Sequence, residues 1–119
     1  MKLYTIRVQS WRVAKKLDIH FEDITVKSGN KIFAPTWPLL AKYQSRLITE
    51  DEYTERFYEL MRDSYSNNKE EWVNLLSKET IAIGCYCPSG NFCHRFILKD
   101  IFQRVCESLG IPFEYMGEL

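Results

Sequence analysis

The sequence predicts an α/β domain: a small three-layer, Rossmann-like fold with a mostly parallel sheet and helices on both faces. Three observations lead there. Thr80 to Cys85 (TIAIGC) is short and almost wholly apolar, as a strand buried on both faces of a parallel sheet must be. A loop, a helix-period segment and another strand pattern follow it, the order of a βαβ unit, which is right-handed by the general rule. The chain has 119 residues, enough for one domain over residues 1–119, and 45% of them are hydrophobic, enough for a core.

The elements follow in chain order. Lys2 to Val8 (KLYTIRV) alternates as a strand, with Leu3, Thr5 and Arg7 on one face. Gln9 to Leu17 is polar and basic and reads as an irregular loop or short turn. Ile19 to Val26 alternates again, a second strand, and Ser28-Gly29-Asn30 marks a turn. Thr36 suits an N-cap, with Pro38 in the first turn of a short helix. Thr49-Glu50-Asp51-Glu52 is a capping box, and Tyr53, Phe57, Leu60, Met61 and Tyr65 recur behind it at helical spacing. Asn67-Asn68 ends that helix, and Glu70 to Ser77 forms another. After the TIAIGC strand, a helix is expected from about Phe92 to Leu109. Gly110 stands at its C′ position, and Pro112 to Met116 would be the last strand.

Sixteen Lys and Arg balance sixteen Asp and Glu, so bulk-charge coating of nucleic acid is disfavoured. Charge is nevertheless polarised. Lys2, Arg7, Arg12, Lys15 and Lys16 are five bases without an acid in the first sixteen residues, while Thr49 to Glu71 carries eight acids against three bases. No apolar run is long enough to span a membrane, and MKLYTIRVQS is not a signal peptide, so a cytoplasmic protein is expected.

Three of the four cysteines, Cys85, Cys87 and Cys93, fall within nine residues. A secreted disulfide scaffold would spread them, so reduced thiols are expected. Their segment joins the carboxyl end of a buried strand to a helix start, where α/β sheets bind ligands and helix N-termini favour anions. Ser89, Gly90 and Asn91 would present backbone and side chains to a ligand there, Gly90 permitting close approach. Arg95 would fork onto a carboxylate or phosphate. Cys93 in this setting would have a lowered pKa.

Three chemistries compete. In the first, Cys93 or Cys87 is a nucleophile with His94 as base. Adjacent helical residues point in different directions, however, so Cys93 and His94 need not share a proton. Seven residues separate Cys87 from Arg95, too many for a cysteine-phosphatase loop. In the second, Cys85, Cys87, Cys93 and His94 hold zinc, although a continuous CxC…CH run differs from the usual paired knuckles. No cofactor is expected unless zinc is found. In the third, the cysteines only pack a tight turn. Cys106, on the apolar stripe of the helix, belongs to the core.

The run CYCPSGNFCHR, the segments DITVKSGNKIFAPTW (Asp23 to Trp37) and ITEDEYTERFYELM (Ile48 to Met61), and the GIPFEYMGEL ending resemble the family called domain of unknown function 488. The resemblance spans nearly the whole chain. It implies a compact α/β domain, often encoded by bacteria and their phages, and points to Cys93, His94 and Arg95. It implies no established reaction.

Further ligand-binding candidates are Arg7, Ser10, Trp11 and Arg12, delivered to the same edge if the first strand is central. Trp11 would stack on a base. Asp23, Thr25 and Lys27, at the end of the second strand, would line the same crevice and Trp37 would cap it; the plainer alternatives are local turn bonding, a helix anchor for Trp37 and core cover for Trp11. His20 is expected to be a packed or surface histidine. Glu118 lies within possible reach, but nothing in the sequence requires it there. The expectation is thus a pocket for a phosphate-bearing ligand or a nucleic-acid end, between the end of strand 1 and the cysteine loop. The alternatives are a non-catalytic module that binds a nucleotide, a nucleic-acid end or a host protein, and a zinc knuckle. Oligomeric state is left open.

Overall fold

A computed structural model of the chain describes residues 1–86 and 92–119. Four strands, β1 (Lys2–Arg7), β2 (His20–Asp23), β3 (Thr80–Cys85) and β4 (Glu114–Glu118), form one sheet in the order β2-β3-β1-β4. Every pairing is parallel. The central pair, β1 and β3, runs in register from Lys2 opposite Thr80 to Arg7 opposite Cys85. Burial on both sides explains why TIAIGC needs no polar alternation: Ile81 to Cys85 are all buried.

Among the described residues, five helices surround the sheet: α1 (Trp11–Lys16), α2 (Trp37–Gln44), α3 (Glu50–Asn67), α4 (Lys69–Leu76) and α5 (His94–Leu109). The two helical layers are unequal. Leu3, Ile81, Ile83 and Cys85 point to the face where α2 to α5 contribute Leu39, Tyr53, Phe57, Trp72, Leu98 and Phe102. The opposite face holds Ile6 and Ala82, packed on Ala14 of α1. Phe33, Trp72 and Phe102 meet edge to face, with centroids 5.0 to 5.6 Å apart. Trp72 Nε1–H donates to Ser64 Oγ at 3.1 Å, and Ser64 Oγ–H donates to the Ile32 carbonyl at 2.6 Å, so this buried indole is satisfied.

The start signals operate as the sequence indicates. Thr36 Oγ1 accepts the Leu39 amide, and Thr49 and Glu52 form both halves of the capping box. Gly110 takes the left-handed conformation, φ 72°, that closes α5.

Other boundaries moved. The stretch Gln9 to Leu17 is not a loop: a 3-10 turn at Val8–Ser10 runs into α1, whose Arg, Ala and Lys content favours a helix and whose Ala14 buries completely. The second strand stops at Asp23 rather than Val26, because Asp23 Oδ1 takes the Thr25 amide and turns the chain. α5 starts at His94, with Cys93 as its N-cap, and β4 lies two residues later than Pro112 to Met116. β4 pairs with β1, so the β3-α5-β4 connection crosses over β1. Among the described residues, no helix is long and apolar enough to cross a membrane.

Candidate functional site

The site is built where β3 ends and α5 begins, at the carboxyl edge of the sheet. Cys93 is the N-cap of α5, with extended backbone angles, φ −156° and ψ 147°. It is therefore not yet helical, and its side chain does not diverge from that of His94 as two helical neighbours would. Cys93 Sγ lies 3.8 Å from His94 Nδ1. The other ring nitrogen, His94 Nε2, is 2.7 Å from the Ile24 carbonyl oxygen. A carbonyl only accepts, so Nε2 carries the proton. In the neutral ring, Nδ1 then presents its lone pair to Cys93.

The ring is neutral at physiological pH. The His94 pKa is lowered from 6.5 to about 4: burial is the main cause, the Ile24 bond opposes it, the nearby Arg95 charge adds to it and Asp23 opposes it. A thiolate–imidazolium pair is therefore not the resting state. Where Cys93 is reduced, the neutral ring leaves Nδ1 as an acceptor facing its thiol.

Ile24 is held by the turn after β2. Asp23 Oδ1 accepts the Thr25 amide at 2.9 Å, and Asp23 Oδ2 accepts the Ser28 hydroxyl at 2.7 Å. Thr25 Oγ1 lies 3.0 Å from Ser28 Oγ. Asp23 and Thr25 thus build the turn that aims the Ile24 carbonyl at His94. Gly29 is needed because a Cβ there would lie 2.5 Å from the Asp23 carbonyl oxygen.

Arg95 belongs to a separate cluster. It is fully buried. Nε and Nη2 donate to the two Glu118 carboxylate oxygens at 3.1 and 2.7 Å, and Nη1 donates to Cys85 Sγ at 3.0 Å. The Phe96 ring packs under the guanidinium at 4.4 Å. The carboxylate that Arg95 grips is this chain's own.

Cys85 and Cys93 are joined as a disulfide, so the expectation of reduced thiols fails at this pair; Cys106 is free, and burial raises its pKa. The Cys85, Cys93 and His94 donor atoms lie within 4.8 Å of one another, a span that suits a soft metal. The two sulfurs, however, are bonded to each other here.

A cavity of about 80 Å³ touches Cys93 and His94. Tyr43, Tyr53 and Phe92 form its aromatic wall, with Leu40 and Gln44 at its side. It opens among α2, α3 and the start of α5, not between the end of β1 and the cysteine loop. A second hollow of about 270 Å³, past Phe96 and Lys99, also reaches Cys93.

The remaining candidates lie elsewhere. Arg7 stands opposite Cys85 in the strand register, and Gln9 Nε2 reaches the Tyr86 carbonyl at 3.5 Å, so the basic N-terminal segment does border the end of β3. Ser10 is half-buried. Trp11 is exposed beneath Arg12 and Lys15, which sit 5.2 and 5.7 Å from its ring centroid. Lys27 and Trp37 line a separate groove of about 370 Å³ with Lys31 and Leu60. His20 is exposed, 3.5 Å from Glu22. Cys87, Ser89, Gly90 and Asn91 lie outside the described residues. Sequence reasoning missed the Ile24 carbonyl and the aromatic wall. A backbone group leaves no residue signal, and the tyrosines read only as helix core.

An all-parallel sheet with helices on both faces, and a Cys-His pair at the helix start behind β3, defines a small α/β protein. A family model described as DUF488-N3a, the active DUF488-N3 subclade, matches residues 2–105, and the chain belongs to that family. Neither a curated protein nor a solved structure matches the chain.

Proposed function

We propose that this protein is a cysteine-dependent enzyme of the cytoplasm, with Cys93 as nucleophile and His94 as general base, acting on a small ligand in the aromatic-walled cavity. One observation carries this reading: the Ile24 carbonyl fixes the His94 proton on Nε2 and leaves Nδ1 as acceptor 3.8 Å from Cys93 Sγ. In the reduced protein, Cys93 Sγ bonds to an electrophilic centre of the ligand and its proton passes to Nδ1. The leaving group departs with its electron pair and takes that proton. The positive end of the α5 dipole favours negative charge developing there, which suits a phosphate-bearing or nucleotide-type ligand. Arg95 is a positioning residue in this reading, since it holds Cys85 and Glu118. That the matching subclade is described as active agrees with a catalytic role.

Alkylation of Cys93 by iodoacetamide, followed by peptide mass mapping in the reduced full chain from pH 5 to 8, tests the reading. With a base that titrates near pH 4, the rate is nearly flat over this range. An unactivated thiol speeds up about tenfold per pH unit until ~8.5. A tenfold-per-unit rise at Cys93 removes the nucleophile and leaves the binding-module reading. Stoichiometric zinc in the purified protein likewise removes it, in favour of a metal site.

A further inference from the structure

The second cysteine, Cys85, has no part in that mechanism, although its sulfur is bonded to the nucleophile. We propose that Cys93 and Cys85 are a reversible redox couple. Cys93 reacts with a small hydroperoxide, Cys85 closes the disulfide, and the bond silences the enzyme. The inference rests on Cys93 being the nucleophile and deepens that reading by naming an oxidant and a regulation.

The two sulfurs have different surroundings. Cys93 is reached from two hollows, of about 80 and 270 Å³, and has a base at 3.8 Å. Cys85 lines neither hollow; it is covered by Arg95 Nη1 at 3.0 Å. Once the bond is reduced, this donor is in place to hydrogen-bond the Cys85 sulfur. Glu118 holds the guanidinium there through a bidentate pair. Cys93 is thus placed to meet the oxidant, and Cys85 to act as the internal thiol. Cys93 is only 3% exposed, which favours an oxidant of a few atoms over a protein disulfide.

The chemistry balances. Cys93 Sγ attacks the nearer peroxide oxygen; an S–O bond forms and the O–O bond breaks. The thiol proton passes through His94 to the departing oxygen, which leaves as alcohol or water, so sulfur loses two electrons and the peroxide gains them. The Cys85 thiolate then attacks Cys93 Sγ, the S–S bond forms, and hydroxide leaves and takes a proton as water. A dithiol, small or protein-borne, reverses this by two exchanges, itself becoming a disulfide. Cytoplasmic disulfides are usually of this transient kind.

The test uses the full chain, reduced, desalted and treated with equimolar hydrogen peroxide at pH 7. Thiols are counted under denaturation, and the linked peptides are mapped by mass. The expected result is loss of two of the four thiols as a Cys85–Cys93 link, about tenfold faster than glutathione oxidises, with recovery on adding dithiothreitol. In Cys85→Ser, the hydroxyl keeps a partner for Arg95, and Cys93 is expected to be trapped as a dimedone adduct. Oxidation no faster than glutathione, or a Cys93 link to Cys87 or Cys106, overturns the proposal. The wild-type mapping decides the matter if the variant does not fold. A flat alkylation profile without the Cys85–Cys93 link sinks the redox couple alone. A steep profile sinks the nucleophile itself.

Discussion

Acidification singles out His94. Its ring is buried and neutral in the folded chain, with a pKa near 4 against 6.5 when unfolded. Between those values the unfolded chain binds a proton that the folded chain refuses, so stability is complete above about pH 6.5 and falls as pH drops towards 4. The gap of about 2.5 units corresponds to about 3 kcal/mol. Carboxylates add their own loss in acid, so the measurement is a difference. Urea unfolding of the oxidised protein at pH 7 and at pH 4.5 is compared between wild type and His94→Gln. The Gln amide can replace the donor to Ile24 without titrating. Wild type is expected to lose about 2 to 3 kcal/mol more than the variant over this interval. Equal losses would refute the burial argument, and with it the assignment of a neutral base.

Three further outcomes follow from other parts of the fold. Glu118→Ala removes the carboxylate that the buried Arg95 grips and is expected to cost about 3 kcal/mol in urea unfolding at pH 7; a cost under about 0.5 kcal/mol would mean that the pair behaves as a surface one. Gly29→Ala drives a methyl group into the Asp23 and Thr25 backbone and should cost roughly 2 kcal/mol or more. It should also slow Cys93 alkylation, because the Ile24 carbonyl moves; an unchanged rate would detach that turn from the site. Thr49→Ala removes the α3 cap and should cost about 1 kcal/mol, with no change in Cys93 reactivity.

The sequence disclosed what local chemistry determines. TIAIGC fell on β3 residue for residue, and the Thr36 and Thr49 caps and the Gly110 stop sit where their side-chain chemistry requires. α1 was missed because its six residues bury only Ala14, too narrow a stripe to register as a period. At the site, Cys93 and His94 were named, but their mutual geometry was not legible. It depends on Cys93 being an extended cap rather than a helical residue, a one-residue difference in where α5 starts. Arg95 looked like a clamp for a ligand because its type is right for one. That it grips Glu118 depends on β4 lying beside β1, a long-range pairing with no local sequence signature. The basic N-terminal segment legible in the sequence does border the end of β3, yet it does not line the cavity at Cys93.

Everything proposed for Cys93 depends on which nitrogen of His94 holds the proton. The chain has two histidines, His20 and His94, so ring ¹⁵N spectra at pH 7, assigned with His20→Gln, resolve the question directly. The account requires a neutral His94 protonated at Nε2, with Nδ1 bare. A ring protonated at Nδ1, or an imidazolium at pH 7, would contradict it.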